Sequence, residues 1–194
     1  MADSSLSVEK QLLRRAALQA RDALAPAARD DASRRIVAHT AASGFFTRLT
    51  PADTVSAYWP IGSEVDPRPL FALIAETGAA LVLPRLCGET LSFHVFRVGD
   101  TLEDGPFGLR EPPDTAEIRA PDLILAPLVA FDSAFGRLGY GRGYFDRAVA
   151  DVAATKRVHM VGLAFETQRV AHVPLERHDR LLDGVVTEAG VFQR

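Results

Sequence analysis

The sequence predicts an α/β fold, specifically a three-layer α/β/α sandwich with a largely parallel or mixed central sheet. The segment 123–131 is uniformly apolar, as central strands of parallel sheets are because helices cover both of their faces. The stretch 54–83 has the pattern of a strand, a helix and a second strand, which is the unit that builds parallel sheets. Two further strand-like segments, 158–165 and 185–192, follow. In a chain of 194 residues, we expect one domain spanning 1–194.

Two helices are expected at about 8–43, packed on the α/β core. Apolar residues recur every fourth position over 8–24, which predicts an amphipathic helix with Ser7 as its N-cap. Pro26 suits the first turn of the second helix, and Gly44 ends that helix. The apolar stripe of the first helix consists of Val8, Leu12, Ala16, Ala20 and Leu24.

The remaining elements follow from apolar spacing and from glycine and proline. Strands are expected at 54–59 and 79–83, with a helix at 67–76 between them. Weak alternation predicts another strand at 91–98. The segment 99–121 contains four prolines and three glycines and is expected to be mainly loop. Long loops of this kind are often functional.

Composition excludes several classes of protein. A formal net charge of −3 is not the basic footprint of a nucleic-acid-binding protein. The sequence has no run approaching the roughly 20 apolar residues of a membrane-spanning helix, and its first residues lack the apolar core of a signal peptide. Cys87 is the single cysteine and is interpreted as a packed or edge thiol, and His172 and His178 as structural or surface histidines. We expect a cytoplasmic protein, a monomer or weak homodimer, that binds neither nucleic acid nor membranes.

The run 136–146, GRLGYGRGYFD, carries most of the functional information. It lies between an apolar segment and a helical one, and the order of strand, glycine loop and helix suits a phosphate cradle. Neither GxxxxGK[ST] nor GxGxxG fits its spacing. Arg137 and Arg142 are candidates to clamp phosphate oxygens, and Asp146 to hold Mg²⁺. The alternatives are a flexible turn for the glycines and an ordinary first-turn helix carboxylate for Asp146.

Two acidic segments are further candidates. Glu64 and Asp66, two residues apart after a strand, face the same way in extended backbone and suit an amino-bearing heterocycle on which Trp59 stacks. The alternative is a solvated loop in which Asp66 begins a turn. In the segment 176–183, ERHDRLLD, Asp179 is a candidate second ligand for Mg²⁺, and a surface turn is the alternative.

These motifs together resemble one family. The matching segments are KQLLR at 10–14, YWPIGSEVD at 58–66, GPFGLREP at 105–112, DLILAPLVAFDSAFGRLGYGRGYFDR at 122–147, GLAFETQ at 162–168 and VPLERHDRLLDGVVT at 173–187. They occur in the order in which 5-formyltetrahydrofolate cyclo-ligases, also called 5,10-methenyltetrahydrofolate synthetases, have them. The resemblance covers nearly the whole chain. It implies a three-layer α/β/α fold and an ATP- and Mg²⁺-dependent ligase that closes 5-formyltetrahydrofolate to the 5,10-methenyl compound.

The resemblance also implies roles for individual residues. Asp146 and Asp179 are expected on Mg²⁺, while Arg137, Tyr140 and Arg142 are expected to be catalytic. ATP contacts are expected from Lys10, Gln11, Leu12, Leu13, Arg14, Arg137, Leu138, Gly139, Tyr140, Gly141, Arg142, Gly143, Tyr144 and Phe145. Folate contacts are expected from Trp59, Glu64, Tyr140, Gly141, Arg142, Gly143 and Tyr144.

Three positions depart from the usual family pattern. Phe96 stands where the family commonly has tryptophan, and Arg142 and Phe145 stand in a loop that often reads YGGGYYD or YGKGYYD. Each departure keeps an aromatic ring or a cation. A folate- or nucleotide-binding protein that has lost catalysis is the alternative function on the same scaffold.

Overall fold

A seven-stranded mixed sheet with helices on both faces forms the core of residues 2–176 and 179–194, which the computed structural model describes. The helices are α1 Ala2–Asp22, α2 Pro26–Ala42, α3 Pro69–Glu76 and α4 Tyr144–Thr155. The strands are β1 Thr54–Ser56, β2 Ala80–Cys87, β3 Thr90–Val95, β4 Glu103–Asp104, β5 Arg110–Glu111, β6 Leu123–Pro127, β7 Ala130–Phe131, β8 Arg137–Leu138, β9 His159–Leu163, β10 Gly184–Thr187 and β11 Gly190–Gln193. Among these helices, none is long and apolar enough to cross a membrane.

The sheet order is β11-β10-β9-β6-β1-β2-β3, which confirms the predicted α/β class. The five central strands are parallel, and the edge strands β11 and β3 are antiparallel to their neighbours. Residues of α2 and α3 pack against one face of the sheet and residues of α4 against the other. The predicted three layers are thus α2 with α3, the sheet, and α4.

Strand β6 shows why its sequence is uniformly apolar. Leu123 and Leu125 pack toward α2 and α3, whereas Ile124 packs toward α4, so neither face of the strand meets water. The prediction of one strand over 123–131 is wrong, however. The chain leaves the sheet after Pro127, which has no N–H for a ladder, and returns as β7 in a hairpin with β8.

A buried glutamine makes this departure possible. The Gln168 Nε2 donates to the carbonyl oxygens of Leu128 and Val129 at 2.7 and 3.1 Å. Backbone groups outside a sheet need such partners when they are buried. Beyond the hairpin, the predicted strand 185–192 is divided into β10 and β11 by a turn, and the segment 99–121 is mainly loop apart from the β4–β5 hairpin.

Helix α1 differs from its prediction in start and orientation. It begins at Ala2, so Ser7 lies inside the helix and is not its N-cap. The predicted apolar stripe faces outward, since Val8 is 52% and Leu12 60% exposed. Lys10 and Arg21 on the opposite side are buried instead. Helix α1 packs on the β7–β8 hairpin through small apolar side chains, and its buried cations find oxygen partners in other segments. Lys10 binds Glu176 and Asp179, and Arg21 binds Ser63 and Tyr140, which offsets the cost of burying the two charges.

Candidate active site

The predicted site residues follow two adjacent parallel strands, β1 and β6. From β1 the chain continues to β2 on one side, and from β6 it continues to β9 on the other. Such a reversal opens a crevice beyond the carboxyl ends of the strands, where open α/β sheets bind ligands. Trp59 and Glu64 follow β1, and the glycine run 136–146 follows β6 by way of the hairpin. The topology therefore brings both segments to the same edge of the sheet.

The glycine run leads from β8 into α4, in the predicted order of strand, loop and helix. Gly141 has a φ of 87° and Gly143 a φ of 69°, both in the left-handed region that glycine adopts without strain. Gly143 immediately precedes the first turn of α4. Since glycine offers no side-chain cap, the first amide groups of this helix are suited to an anion, which the helix dipole also favours.

Helix α1 lies directly against this loop. The Arg14 Nε donates to the Gly139 carbonyl oxygen at 2.7 Å. A Cβ built on Gly141 would lie 2.8 Å from the Arg14 Cζ, so the missing side chain is what lets the guanidinium cross the loop. Lys10 and Arg14 therefore do not lie on a solvated helix face, because α1 turns both cations toward the loop and its neighbours.

Gly141→Ala is expected to lower stability and weaken ATP binding. Left-handed backbone costs alanine about 1 to 2 kcal/mol, and the new Cβ displaces the Arg14 guanidinium. We expect the free energy of unfolding to fall by about that amount and the KM for ATP to rise several-fold, measured by urea denaturation and initial rates.

Gly88→Ala is the matched control for this substitution. Gly88 has a φ of +60°, and a Cβ there would meet none of the described atoms within 4 Å. The control is expected to lose stability through backbone strain while keeping the KM for ATP. A Gly141→Ala protein with an unchanged KM would contradict the role given to Arg14.

Lys10 joins α1 to the acidic segment near the carboxyl terminus. Its Nζ lies 3.0 Å from the Glu176 Oε1 and 2.7 Å from the Asp179 Oδ2. Burial alone would lower the pKa of Lys10, but the hydrogen bonds to Asp179 and Glu176 outweigh it, and the pKa is raised. The Asp179 Oδ2 also accepts from the Glu176 backbone N at 2.8 Å. Glu176 and Asp179 are thus hydrogen-bonded to each other and bound to α1 through Lys10.

Arg137 is the most deeply buried cation of the glycine run. Its side chain is 5% exposed, its guanidinium pairs with the Asp146 carboxylate, and its Cζ lies 5.4 Å from the Phe145 ring centroid. Burial lowers the pKa of Arg137, while the negative charges of Asp146 and Asp179 act to raise it. Both candidate metal ligands therefore act on one guanidinium, so they belong to one charged cluster.

This cluster is compatible with Mg²⁺ but is not a closed metal site. Among the described residues, no group of three or more histidine, cysteine, aspartate or glutamate side chains is arranged to hold a metal. Mg²⁺ usually takes one or two carboxylates and completes its shell with water and phosphate oxygens. Asp146 and Asp179 supply that number of carboxylates beside the loop. Asp146 is also a first-turn residue of α4, as the alternative supposed, and its role as a metal ligand stays a prediction.

The other side of the glycine loop meets a buried carboxylate. Glu64 is 8% exposed, and its Oε1 accepts from the Tyr140 hydroxyl at 2.5 Å. The Glu64 Oε2 accepts from the Ile61 backbone N at 2.9 Å. Burial raises the pKa of Glu64 despite these two hydrogen bonds and the nearby Arg21 charge. Burial and the Glu64 charge likewise raise the pKa of Tyr140 well above its usual value.

Asp66 does not share the environment of Glu64. Arg68 binds its carboxylate through two nitrogens, at 2.8 and 2.6 Å, and the Arg68 backbone N donates to it at 3.0 Å. This is the turn at Pro67 that the alternative supposed, so the prediction of two carboxylates facing one ligand is wrong. A turn also precedes Glu64, because its amide donates back to the Ile61 carbonyl oxygen.

Trp59 lies in an aromatic cluster with Phe71 and Phe96. Its ring centroid is 6.3 Å from that of Phe71 and 6.5 Å from that of Phe96, and the Arg68 Cζ lies 5.2 Å from the indole. Phe96 is buried and packs edge-on to Trp59 and Phe71. Phe96 therefore supports the indole from inside the protein.

The two arginines of the glycine run have different environments. Arg142 is exposed, and its Cζ lies 3.8 Å from the ring centroid of Phe107, which belongs to the long loop 99–121. Arg137, by contrast, is held inside by Asp146. The structure thus does not aim both guanidinium groups at one phosphate position, as the clamp prediction requires. Phe107 itself has a φ of 62° and is 57% exposed, which is unusual for an aromatic residue.

Sequence reasoning missed two residues that shape the site. Arg21 donates to both Ser63 and Tyr140, and it lies on the buried side of α1 together with Lys10, Arg14 and Ala17. The spacing of these four residues, by four, three and four, is that of one helix face and was the available signal.

Asp132, also missed, is 3% exposed. It accepts from the backbone amides of Ala134, Gly136 and Val173 and so ties the start of the glycine run to the later segment.

His172 and Cys87 both lie at the surface. His172 has a side chain that is 73% exposed, in agreement with a surface role. His178 lies outside the described residues. Cys87 is exposed at the end of β2, as expected of an edge thiol.

Comparison with known proteins decides the family. The sequence model of the 5-formyltetrahydrofolate cyclo-ligase family matches residues 6–188. The chain belongs to this family. Among cyclo-ligase relatives, the 5-formyltetrahydrofolate cyclo-ligase of Mycolicibacterium smegmatis is 35% identical over 144 residues, which cover 69% of this chain and 73% of the relative. The Escherichia coli K12 enzyme of the same name is 30% identical over 149 residues, covering 73% and 81%.

Solved structures agree with this membership in the cyclo-ligase family. The NMR structure of Aquifex aeolicus 5,10-methenyltetrahydrofolate synthetase superposes with a TM-score of 0.80 at 30% identity, covering 95% of this chain and 92% of that one. A Mycoplasma pneumoniae protein of the same name shares the fold, with a TM-score of 0.73 at 24% identity over 92% of this chain and 98% of that one. The chain is therefore a ligase of folate metabolism by family.

Proposed function

We propose that the chain catalyses the ATP-dependent cyclisation of 5-formyltetrahydrofolate to 5,10-methenyltetrahydrofolate, with release of ADP and phosphate. One observation carries the proposal. The glycine loop lies between a cationic cluster on one side and the buried Glu64 on the other, with Arg14 and Tyr140 as its contacts to each. A loop in this position serves two ligands at once. The relatives named for this reaction support the choice of ligands.

The cationic side suits the phosphates of ATP. Lys10, Arg14 and Arg137 surround the loop, and the start of α4 adds backbone amides. Carboxylates pair with Lys10 and Arg137, and phosphate oxygens would compete with these carboxylates for the same cations. When bound, Mg²⁺ would neutralise phosphate charge, with Asp146 and Asp179 as its protein ligands.

The buried side suits the pterin of the folate. An ionised Glu64 accepts hydrogen bonds from the amino and ring N–H groups of such a heterocycle. Trp59 offers an indole face beside it, and Tyr140 holds one Glu64 oxygen in place. A carboxylate in a dry pocket discriminates strongly, because a ligand without the matching donors leaves it unpaired.

The chemistry explains why a nucleotide is needed. The formyl oxygen is a poor leaving group, so N10 cannot expel it directly. In the proposed sequence the formyl oxygen attacks the γ-phosphorus and ADP leaves. N10 then adds to the activated carbon and gives up its proton to solvent, and departure of phosphate yields the methenyl cation. The sequence requires no nucleophilic side chain. The protein contributes orientation, worth roughly 7 to 11 kcal/mol in well-aligned systems, and charge stabilisation by Arg137, with Tyr140 and Arg142 on the same loop.

A direct assay tests this function. The purified protein is mixed with 5-formyltetrahydrofolate and MgATP, and the near-ultraviolet absorbance of the methenyl product is followed together with ADP release. We expect both signals to rise in equal amounts and to be absent without ATP. Tight binding of either compound without product would favour the non-catalytic binding protein. The absence of both binding and product would refute the proposal. We expect the enzyme to be a cytoplasmic monomer or weak homodimer.

Asp146→Asn is expected to weaken the binding of Mg²⁺ specifically. The amide keeps the size and an acceptor for Arg137 but loses the charge that a metal ligand supplies. We expect the Mg²⁺ concentration for half-maximal rate to rise by about tenfold to a hundredfold, measured by titration at saturating ATP. Asp151→Asn, an exposed position on the same helix, is the control and should behave as the wild type. An unaltered titration curve for Asp146→Asn would remove this residue from the metal site.

A further inference from the structure

Arg21 is a buried cation that no motif of the sequence singles out. Its residue is 4% exposed, although it lies on the surface helix α1. The Nε donates to the Ser63 hydroxyl at 2.9 Å, and the Nη1 donates to the Tyr140 hydroxyl at 3.1 Å. The Ser63 hydroxyl in turn donates to the Asp22 carboxylate. Burying a guanidinium is costly, so its placement between two hydroxyl groups calls for an explanation beyond packing.

The hydrogen bonds continue from Arg21 to Glu64. Tyr140 accepts from Arg21 and donates to the Glu64 Oε1, so the hydroxyl proton is directed toward the carboxylate. The Arg21 Cζ also lies 5.9 Å from the Tyr140 ring centroid. A hydroxyl that accepts from a cation becomes a stronger donor, because the chain of hydrogen bonds is polarised along its length. Arg21 therefore acts on Glu64 through Tyr140 as well as through space.

We propose that Arg21 is a positioning residue of the folate site, which orients Tyr140 and, through it, the Glu64 carboxylate for recognition of the pterin. This inference rests on the proposed function for the identity of the ligand. The action of Arg21 on Tyr140 and Glu64 does not depend on that function.

The groups that face Glu64 determine the direction in which loss of Arg21 shifts the pKa of Glu64. The Ile61 amide and Tyr140 donate to it, Tyr58 lies close by, and Arg21 supplies positive charge. Burial raises the pKa of Tyr58 well above its usual value, so this neighbour is neutral near pH 7, and its hydroxyl donates to the Val65 carbonyl oxygen. Loss of Arg21 therefore removes the positive charge from this set, and the pKa of Glu64 rises further.

The first test needs no turnover. The side-chain carboxyl carbons of glutamate are labelled with ¹³C, Glu64 is assigned by the signal missing in Glu64→Gln, and its titration is followed by NMR. We expect Arg21→Met to move the Glu64 titration to higher pH, and Arg21→Lys to restore it in part. Arg15→Met, at an exposed position on the same helix, should match the wild type. A Glu64 titration that is the same in Arg21→Met and in the wild type would overturn the proposal.

The second test separates positioning from general damage. In Arg21→Met we expect the KM for 5-formyltetrahydrofolate to rise at least tenfold while the KM for ATP stays within twofold, and the rising limb of kcat/KM for the folate to move to higher pH. Arg21→Lys should recover part of each change. Equal losses for both substrates, or an unmoved pH limb, would overturn the inference. A wild-type protein without any turnover would instead refute the proposed function, and the NMR titration would still decide the role of Arg21.

Discussion

Replacing Arg137 with methionine is expected to lower kcat/KM for ATP by about a hundredfold to a thousandfold, which is the usual loss for one preorganised donor to a developing negative charge. The guanidinium is almost fully buried between Asp146 and the Phe145 ring, so it is held in place before any ligand arrives. Methionine fills a similar apolar volume without charge. Initial rates at varied ATP and saturating folate measure the effect.

Stability distinguishes a loss of chemistry from a loss of fold in this variant. The Asp146 side chain is 36% exposed, so water can solvate it after Arg137 is removed, and we expect a change of about 1 kcal/mol or less in the free energy of unfolding. Arg157→Met, at an exposed position, is the neutral control. Arg142→Met should lose less activity than Arg137→Met, because Arg142 is exposed against Phe107. The opposite ranking would mean that Arg142, and not Arg137, meets the transferred phosphoryl group.

Replacing Glu64 with glutamine is expected to have the complementary effect on the folate. A hydrogen bond to a charged group is worth about 1.5 to 3 kcal/mol, so the KM for 5-formyltetrahydrofolate should rise by about tenfold to a hundredfold. The KM for ATP should change little, because Glu64 lies on the other side of the loop from Lys10 and Arg137. Initial rates with each substrate varied in turn measure both constants. Equal increases in both KM values would contradict a specific role in folate binding.

Glu64→Gln is also expected to change the pH dependence of the free energy of unfolding. The pKa of Glu64 is raised in the folded protein, so between its unfolded and folded pKa values the folded state binds more protons than the unfolded state. The stability of the wild type therefore falls as the pH rises through that window, and Glu64→Gln lacks this loss. Urea denaturation should show the stability of Glu64→Gln relative to the wild type increasing from pH 4 to pH 7. Glu76→Gln, exposed on α3, should show no such trend.

Local patterns in the sequence were sufficient to predict most elements. The order of apolar segments and breakers predicted α2, α3 and α4 and the strands of the parallel sheet, since spacing alone tells a helix from a strand and glycine and proline mark the ends. The run 136–146 predicted a loop before α4, because four glycines in so short a stretch suit positive φ values. The resemblance of the whole series of motifs then indicated the cyclo-ligase family.

The side of α1 that is buried, and the partners of the charged side chains, were not predictable from the same patterns. In α1 the apolar side chains Val8 and Leu12 face outward, because the opposite side of the helix meets oxygen partners for Lys10 and Arg21. These partners are Glu176, Asp179, Ser63 and Tyr140. Those partners come from segments more than forty residues away along the chain, and a helical period does not contain them. Spacing also grouped Glu64 with Asp66, although the Asp66 carboxylate binds Arg68 within a turn.

The sequence by itself therefore determined most of the helices, the strands of the parallel sheet and the family to which the chain belongs. Only the tertiary structure decided which charges meet. It placed Arg137 inside with Asp146 and Arg142 outside with Phe107, and it joined Arg21 to Glu64 through Tyr140. The physical reason is that the environment of a charged side chain depends on burial and on partners from distant segments, whereas secondary structure depends mainly on neighbours along the chain.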